Sequence, residues 1–288
     1  MDFNEFIALI ISMILAFRFF FKWFNSLRVW RGKGKSADKF VLASLPVAAF
    51  FIILVTLRTV ASVEVVDDGF WIFFYLVFGF AWISCGVGLM SLIFDISWIH
   101  DILGNGNNAA LAAVAGGFLG TAAIYSASNV GEGPGWWCVL FTGVLGMAVW
   151  LLLACVMNKI TGIFESITIE RDMASGIRFG AYLLASGIIL WRACAGDWTS
   201  FGTTIIELVD GWPVLLLTAF ATAVEIRLAH KAEADYYDSG RVMLPGVAVG
   251  VIYLMFAFIC VTLLPNIFES TAPQYVLGLW EHSQWITG

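Results

Sequence analysis

Charge is scarce in this chain: Asp, Glu, Lys and Arg make up 12% of its 288 residues, and histidine occurs only three times. A water-soluble domain carries roughly a quarter charged residues, so this content excludes a fold whose whole surface faces water. Paired cysteines are missing as well. Cys85, Cys138, Cys155, Cys194 and Cys260 all lie within apolar runs and none forms a CxxC pair, which argues against a disulfide framework and a thiolate zinc site. There is no phosphate loop, no HExxH and no nucleophile elbow, and His100, His230 and His282 stand far apart. The chain is therefore read as non-enzymatic, with no metal and no cofactor. Its net charge of -6 gives no reason to expect a nucleic-acid partner.

What the chain has in abundance is apolar sequence, 60% of the total. A helix needs about 20 largely apolar residues to cross roughly 30 Å of hydrocarbon. Residues 70–94, 109–130, 136–158 and 242–268 form four uncharged runs of that length. Residues 6–24, 40–57, 179–191 and 211–224 form four shorter or interrupted ones. The start, MDFNEFIALIISMILAF, has an acidic leader and no small-residue cleavage site, so the first helix is expected to remain in the mature protein. The partner implied by eight such segments is a lipid bilayer.

Positive residues collect in cytoplasmic loops. Lys22, Arg28, Arg31, Lys33, Lys35 and Lys39 fall between spans 1 and 2; Lys159, Arg171 and Arg178 between 5 and 6; Arg227, Lys231 and Arg241 between 7 and 8. The other side holds Arg58 and Arg192 alone. That asymmetry predicts both termini outside. Arg18, Arg178 and Arg58 lie close enough to the ends of their spans to reach the interface by snorkelling.

The spans also repeat. Asp38, Asn108, Asp172 and Asp238 open the even-numbered helices at separations of 70, 64 and 66 residues, and eight positions further on stand Pro46, Gly116, Gly180 and Gly246. Trp71, Trp137 and Trp212 mark the starts of odd helices, as suits a headgroup belt. The expected fold is an all-α integral membrane protein forming a single transmembrane domain. Its eight transmembrane helices form four helical hairpins, over residues 1–66, 67–130, 131–199 and 200–268, with an external tail over 269–288. Asn and Asp at a helix start accept hydrogen bonds from unpaired N–H groups. The pairs Gly116/Gly120, Gly176/Gly180 and Gly246/Gly250 create small faces for close helix packing. The four starts serve chiefly as caps; the other reading has them converge on an ion at the cytoplasmic face.

The segments NNAALAAVAGGFLGTAAIY and ERDMASGIRFGAYLLASGIIL resemble the paired Asn-x-Ala-x-Ala elements of the bacterial domain of unknown function 350 family. The resemblance covers about residues 70–195 and, more weakly, 212–264. It implies a small polytopic inner-membrane protein of two-helix units and no activity. Asp172 stands where the family usually has Asn, and Arg178 interrupts the second small-residue face.

The fourth unit departs from the spacing. Trp71 and Trp137 precede Asn107 and Asp172 by 36 and 35 positions, but Trp212 precedes Asp238 by 26. A seventh helix of ordinary length then begins near Phe201, which brings Glu207 and Asp210 inside the membrane, three apart and on one helical face. With Arg192 as counter-ion, they are the candidate ion or proton site. Two other readings stand beside it: span 7 extends inward past Glu225 and Arg227, leaving the segment 196–211 as an external loop or interfacial helix, or Arg192 forms a structural ion pair with Glu207 or Asp210. The leading function is movement of a small ion or solute, linked to a proton or cation. The alternative is a non-catalytic scaffold that binds other membrane proteins, or itself, through its glycine faces and basic first loop.

Overall fold

A computed structural model describes residues 2–29, 32–234, 243–265 and 267. Among these residues all regular structure is helical. In chain order the α-helices are α1 (Phe3–Val29), α2 (Ser36–Thr59), the short α3 (Val63–Val66), α4 (Gly69–Ile93) and, after a π-helical turn over Trp98–Gly104, α5 (Asn108–Ser128). They continue with α6 (Trp136–Thr161), the short α7 (Ile163–Thr168), α8 (Met173–Cys194), α9 (Phe201–Glu207), α10 (Pro213–Ala234) and α11 (Met243–Leu263). Seven helices are long and apolar enough to cross a membrane; α9 and α10, bent by 42°, make an eighth if counted as one span. The outward faces are apolar, with Phe17 71%, Leu92 80% and Phe258 68% exposed. So much exposed apolar surface is unsuited to water, and helices with internally satisfied backbones are what a bilayer admits. The chain is a multi-pass membrane protein.

Backbone hydrogen bonds gather the connections at two ends. At the basic end, Lys33 N donates to Gly104 O and Gly34 N to Leu103 O, while Asn107 Nδ2 donates to Ile167 O. At the opposite end Gly131 N donates to Val60 O, Gly196 N to Val130 O and Trp198 N to Glu132 O. Helices α2, α5 and α8 therefore run the same way and finish on one ladder, where Val60, Val130 and Ala195 form a small apolar cluster. Gly131, with φ +94°, has no room for a side chain: a Cβ there would stand 2.5 Å from Gly196.

The centre is the pair α5 and α8. A Cβ on Gly116 would lie 1.9 Å from the carbonyl oxygen of Gly180, and one on Gly180 would lie 2.2 Å from that of Ala112. Gly120 faces Leu183, and Gly176 faces Ala109. On another side of α8, Gly246 meets Ala174 and Gly250 meets Ala181. Apolar lipid offers no hydrophobic drive for helices to associate, so dispersion between closely approaching backbones supplies it. All the glycines expected to present packing faces sit on internal interfaces of the bundle.

Pro46 takes the place in α2 that glycine takes in α5, α8 and α11. Proline has no N–H, so the carbonyl four residues earlier, that of Leu42, loses its helical donor. Trp23 of α1, buried to 1% exposure, supplies the replacement: its Nε1 donates to Leu42 O at 3.0 Å. A similar bond joins Trp150 Nε1 of α6 to Leu183 O of α8 at 2.9 Å.

Two stability measurements in detergent follow. Trp23→Phe should destabilise by about 1 kcal/mol, and by measurably less in a Pro46→Ala background, where the restored backbone N–H can satisfy Leu42; equal losses in both backgrounds would refute the pairing. Gly116→Ala should cost about 1–3 kcal/mol through overpacking, whereas Gly88→Ala, with nothing within 4 Å of the added Cβ, should be neutral or stabilising.

Candidate functional site

Helix α8 carries a polar stripe. Ser175, Arg178, Tyr182 and Arg192 recur at near-helical spacing and so share a face, yet each is buried. Thr218, Thr222 and Glu225 do the same on α10, and Tyr253 on α11. These three helices enclose a buried polar seam.

At the basic end of the seam Asp172 caps α8, accepting from Ala174 N at 3.2 Å and Ser175 N at 2.9 Å. Ser175 Oγ also donates to this carboxylate, at 2.5 Å. Arg178 then reaches Glu225 with two nitrogens, Nε to Oε1 at 2.5 Å and Nη2 to Oε2 at 2.6 Å, and Nη2 also donates to Ser175 Oγ at 2.9 Å. Arg178 is 3% and Glu225 6% exposed. A planar guanidinium facing a carboxylate in this two-pronged way forms the strongest class of hydrogen-bonded pair.

Midway, Tyr182 Oη and Thr218 Oγ1 are hydrogen-bonded at 2.9 Å. Tyr253 is wholly buried, packs edge-on against Phe220 and lies in electrostatic reach of Glu225, Arg178 and Tyr182. Its hydroxyl has no hydrogen-bond partner among the described residues.

At the far end Arg192 Nη1 donates to Cys260 O at 2.9 Å and Leu264 O at 2.8 Å, and Nη2 donates to Pro265 O. The guanidinium thus closes the C-terminus of α11, where the last carbonyls lack helical donors and the helix dipole favours a cation. Asp210, 1% exposed, accepts from Ile267 N at 2.6 Å and acts electrostatically on Arg192.

The two carboxylates of the expected pair lie in electrostatic reach of one another but differ in burial. Helix α9 ends at Glu207, and Leu208–Gly211 tightens into a 3-10 turn. Glu207 is half-buried and Asp210 lies in the core, 1% exposed. Helix α10 runs on through Glu225 and Arg227 from Pro213, a proline at the first helical position where its missing N–H costs nothing. Arg178 does not snorkel: Glu225 holds it inside, while Arg18 and Arg58 are exposed. In the sequence Glu225 closes an uncharged run and reads as a span boundary, not as a site residue. Its signal is the spacing from Thr218 and Thr222, which gives α10 one polar face.

The helix starts act locally. Asp172 is an N-cap; Asn107, one residue before Asn108, caps α5 by accepting from Ala109 N and Ala110 N; Asp38 lies at the third position of α2 and accepts from Lys35 N at 2.7 Å. The cap of α5 is thus Asn107 and not Asn108, whose backbone is already helical. Asp238 lies outside the described residues, as do residues 268–288. No group of three or more His, Cys, Asp or Glu that would hold a metal occurs among the described residues.

Removing one partner of a buried ion pair strands a charge and costs about 3–5 kcal/mol, whereas replacing both with apolar residues is often neutral. Arg178→Met should therefore lower thermal stability in detergent sharply, and Arg178→Met/Glu225→Met should recover most of the loss. A double variant no more stable than the worse single one would count against the pair. Compared with protein-family models, curated proteins and solved structures, the chain gives no significant match.

Proposed function

We propose that the protein is a non-enzymatic component of the bacterial inner membrane that moves a proton or small cation along the seam between α8, α10 and α11. The observation that carries this reading is the Arg178–Glu225 pair, buried within helices of membrane-spanning length. Ionisable groups at such depth are costly, face the bundle interior and mark ion or proton paths. Arg178 and Arg192 lie fourteen residues apart on α8, about 21 Å along its axis. Charge thus stands at both ends of the seam, with hydroxyl groups between. Asp210 belongs to this path; Glu207 stands at its rim.

The positive-inside rule puts the basic end in the cytoplasm and both termini outside. Four hairpins in parallel repetition agree with two sets of spacings. Val60, Val130 and Ala195 on the terminal ladder follow one another by 70 and 65 residues, close to the 70 and 64 that separate Asp38, Asn108 and Asp172. The resemblance to the domain of unknown function 350 family implies the same location. A scaffold role is less well supported, since the described glycine faces are occupied within the bundle.

The test is flux in vesicles. Purified full-length protein, reconstituted and given a pH gradient or a sodium or potassium gradient, should dissipate at least one of them. Glu225→Gln combined with Arg178→Gln, and separately Asp210→Asn, should reduce that flux by about tenfold or more, the scale for losing one positioned proton-transfer group. Wild-type protein that dissipates none of the gradients would refute the reading.

A further inference from the structure

Helix α1 packs chiefly on α4 and turns its opposite face outward. Arg18 and Lys22 lie on that outward face, both exposed. Four residues apart on one helix, they are neighbours whose like charges repel. Counted from Phe6, the first residue past Glu5, they come about 18 and 24 Å along the axis, inside a hydrocarbon layer roughly 30 Å thick. Side chains on a helix lean toward its N-terminus, so the lean carries Arg18 away from the basic end of the bundle. A charge so placed is costly. Neither cation has a hydrogen-bond or ion-pair partner among the described residues. No Asp or Glu occurs over residues 6–29 of α1, 70–94 of α4 or 136–158 of α6. The balancing anion therefore comes from outside the chain.

The rest of the face shows what carries that anion. With Arg18 as origin, Ile7, Ile11, Ile14 and Lys22 all fall within about 40° around α1, and the three isoleucines are exposed. Ile7 and Ile11 also line a groove of about 490 Å³ that continues to Trp82 and Cys85 of α4 and Trp137 and Leu140 of α6. Two cations thus close one end of an apolar track of the kind that takes a hydrocarbon chain. A free anion does not enter hydrocarbon unpaired, whereas a phosphate esterified to acyl chains already stands at its edge. A guanidinium grips phosphate oxygens through two parallel hydrogen bonds, and an ammonium adds a point charge.

We propose that this face of α1 holds one anionic phospholipid, with its phosphate between Arg18 and Lys22 and one acyl chain running along the isoleucines into the groove. The site is separate from the seam between α8, α10 and α11 and does not depend on what that seam carries.

Native mass spectrometry of the full-length protein in detergent tests it, with dioleoyl phosphatidylglycerol, dioleoyl phosphatidylcholine and glycerol phosphate as the three titrants. One phosphatidylglycerol per chain should bind most tightly, phosphatidylcholine with the same acyl chains more weakly, and glycerol phosphate not at all at the same concentration. Arg18→Gln/Lys22→Gln should weaken that first lipid by about thirtyfold, the scale for losing two basic contacts to an anionic lipid, with an unchanged unfolding midpoint because both side chains are exposed. Arg28→Gln/Lys33→Gln removes as much charge from exposed positions at the same end and should change it little. Cys85→Trp, which narrows the groove, should weaken phosphatidylglycerol as well. Equal weakening by the two double variants would overturn the site in favour of diffuse attraction, and unchanged affinity in Cys85→Trp would overturn the acyl track. Glycerol phosphate bound as tightly as phosphatidylglycerol would replace the lipid by a free anion. A dimer that Arg18→Gln/Lys22→Gln dissociates would put a second copy of the chain on this face and overturn the proposal.

Discussion

The contact between the backbones of α5 and α8 is the constraint on which the rest of the molecule depends. Helices in lipid gain nothing from hiding apolar surface, so their association rests on how closely they approach. Gly116 and Gly180 allow an approach that even a methyl group would block. At about 100° per residue, Gly176, Gly180 and Gly187 all fall within about 40° on α8. Once that face is committed to α5, the remaining circumference of α8 is fixed.

The polar stripe follows from this commitment. Taking Gly176 as the origin, Arg178, Tyr182 and Arg192 fall at about 160–240° around the same helix, opposite the glycines. One face is smooth and shape-matched; the other is charged and must be satisfied by α10 and α11. Nothing local dictates that Arg178 should find Glu225, 47 residues away, yet a buried guanidinium without a partner is not tolerated. The stripe sets the demand, and the lengths of α9, the 3-10 turn and α10 bring Glu225 to the right level to meet it. Arg192 and Asp210 serve the same end differently, by tying the close of α11 and the chain beyond it.

Much of this was legible in the sequence. Apolar length marks the spans, the short polar residues at 107 and 172 mark helix starts, and the glycines at 116, 180 and 246 mark close approach. Each of these is a local signal, carried by a few residues with a fixed period. The parts that escaped are pairings across long separations or differences in packing. Arg178 reads as snorkelling because its nearest span boundary is close in sequence, and only the third dimension offers Glu225. Glu207 and Asp210 differ in burial because of what packs around the turn that carries them, which their spacing in the sequence does not tell. The role of Pro46 likewise depends on Trp23 across the hairpin: the missing N–H is visible in the sequence, the indole that compensates it is not.

The same architecture decides where movement is allowed. A buried ion pair adds little stability over well-packed apolar residues of similar volume, so the α8–α10 contact is held less by net energy than by geometry. Along α5 the opposite holds: sliding or tilting α8 would bring backbone atoms into collision, because no side chains separate them. Parting Arg178 from Glu225 would therefore have to displace α10, with α8 held fixed. The means for it lie at the start of that helix. α9 meets α10 at a 42° bend, the junction is Gly211, Trp212 and Pro213, and Pro213 carries no N–H to bind the two segments into one continuous helix. Rotation about that junction carries Glu225, near the other end of α10, through the largest arc.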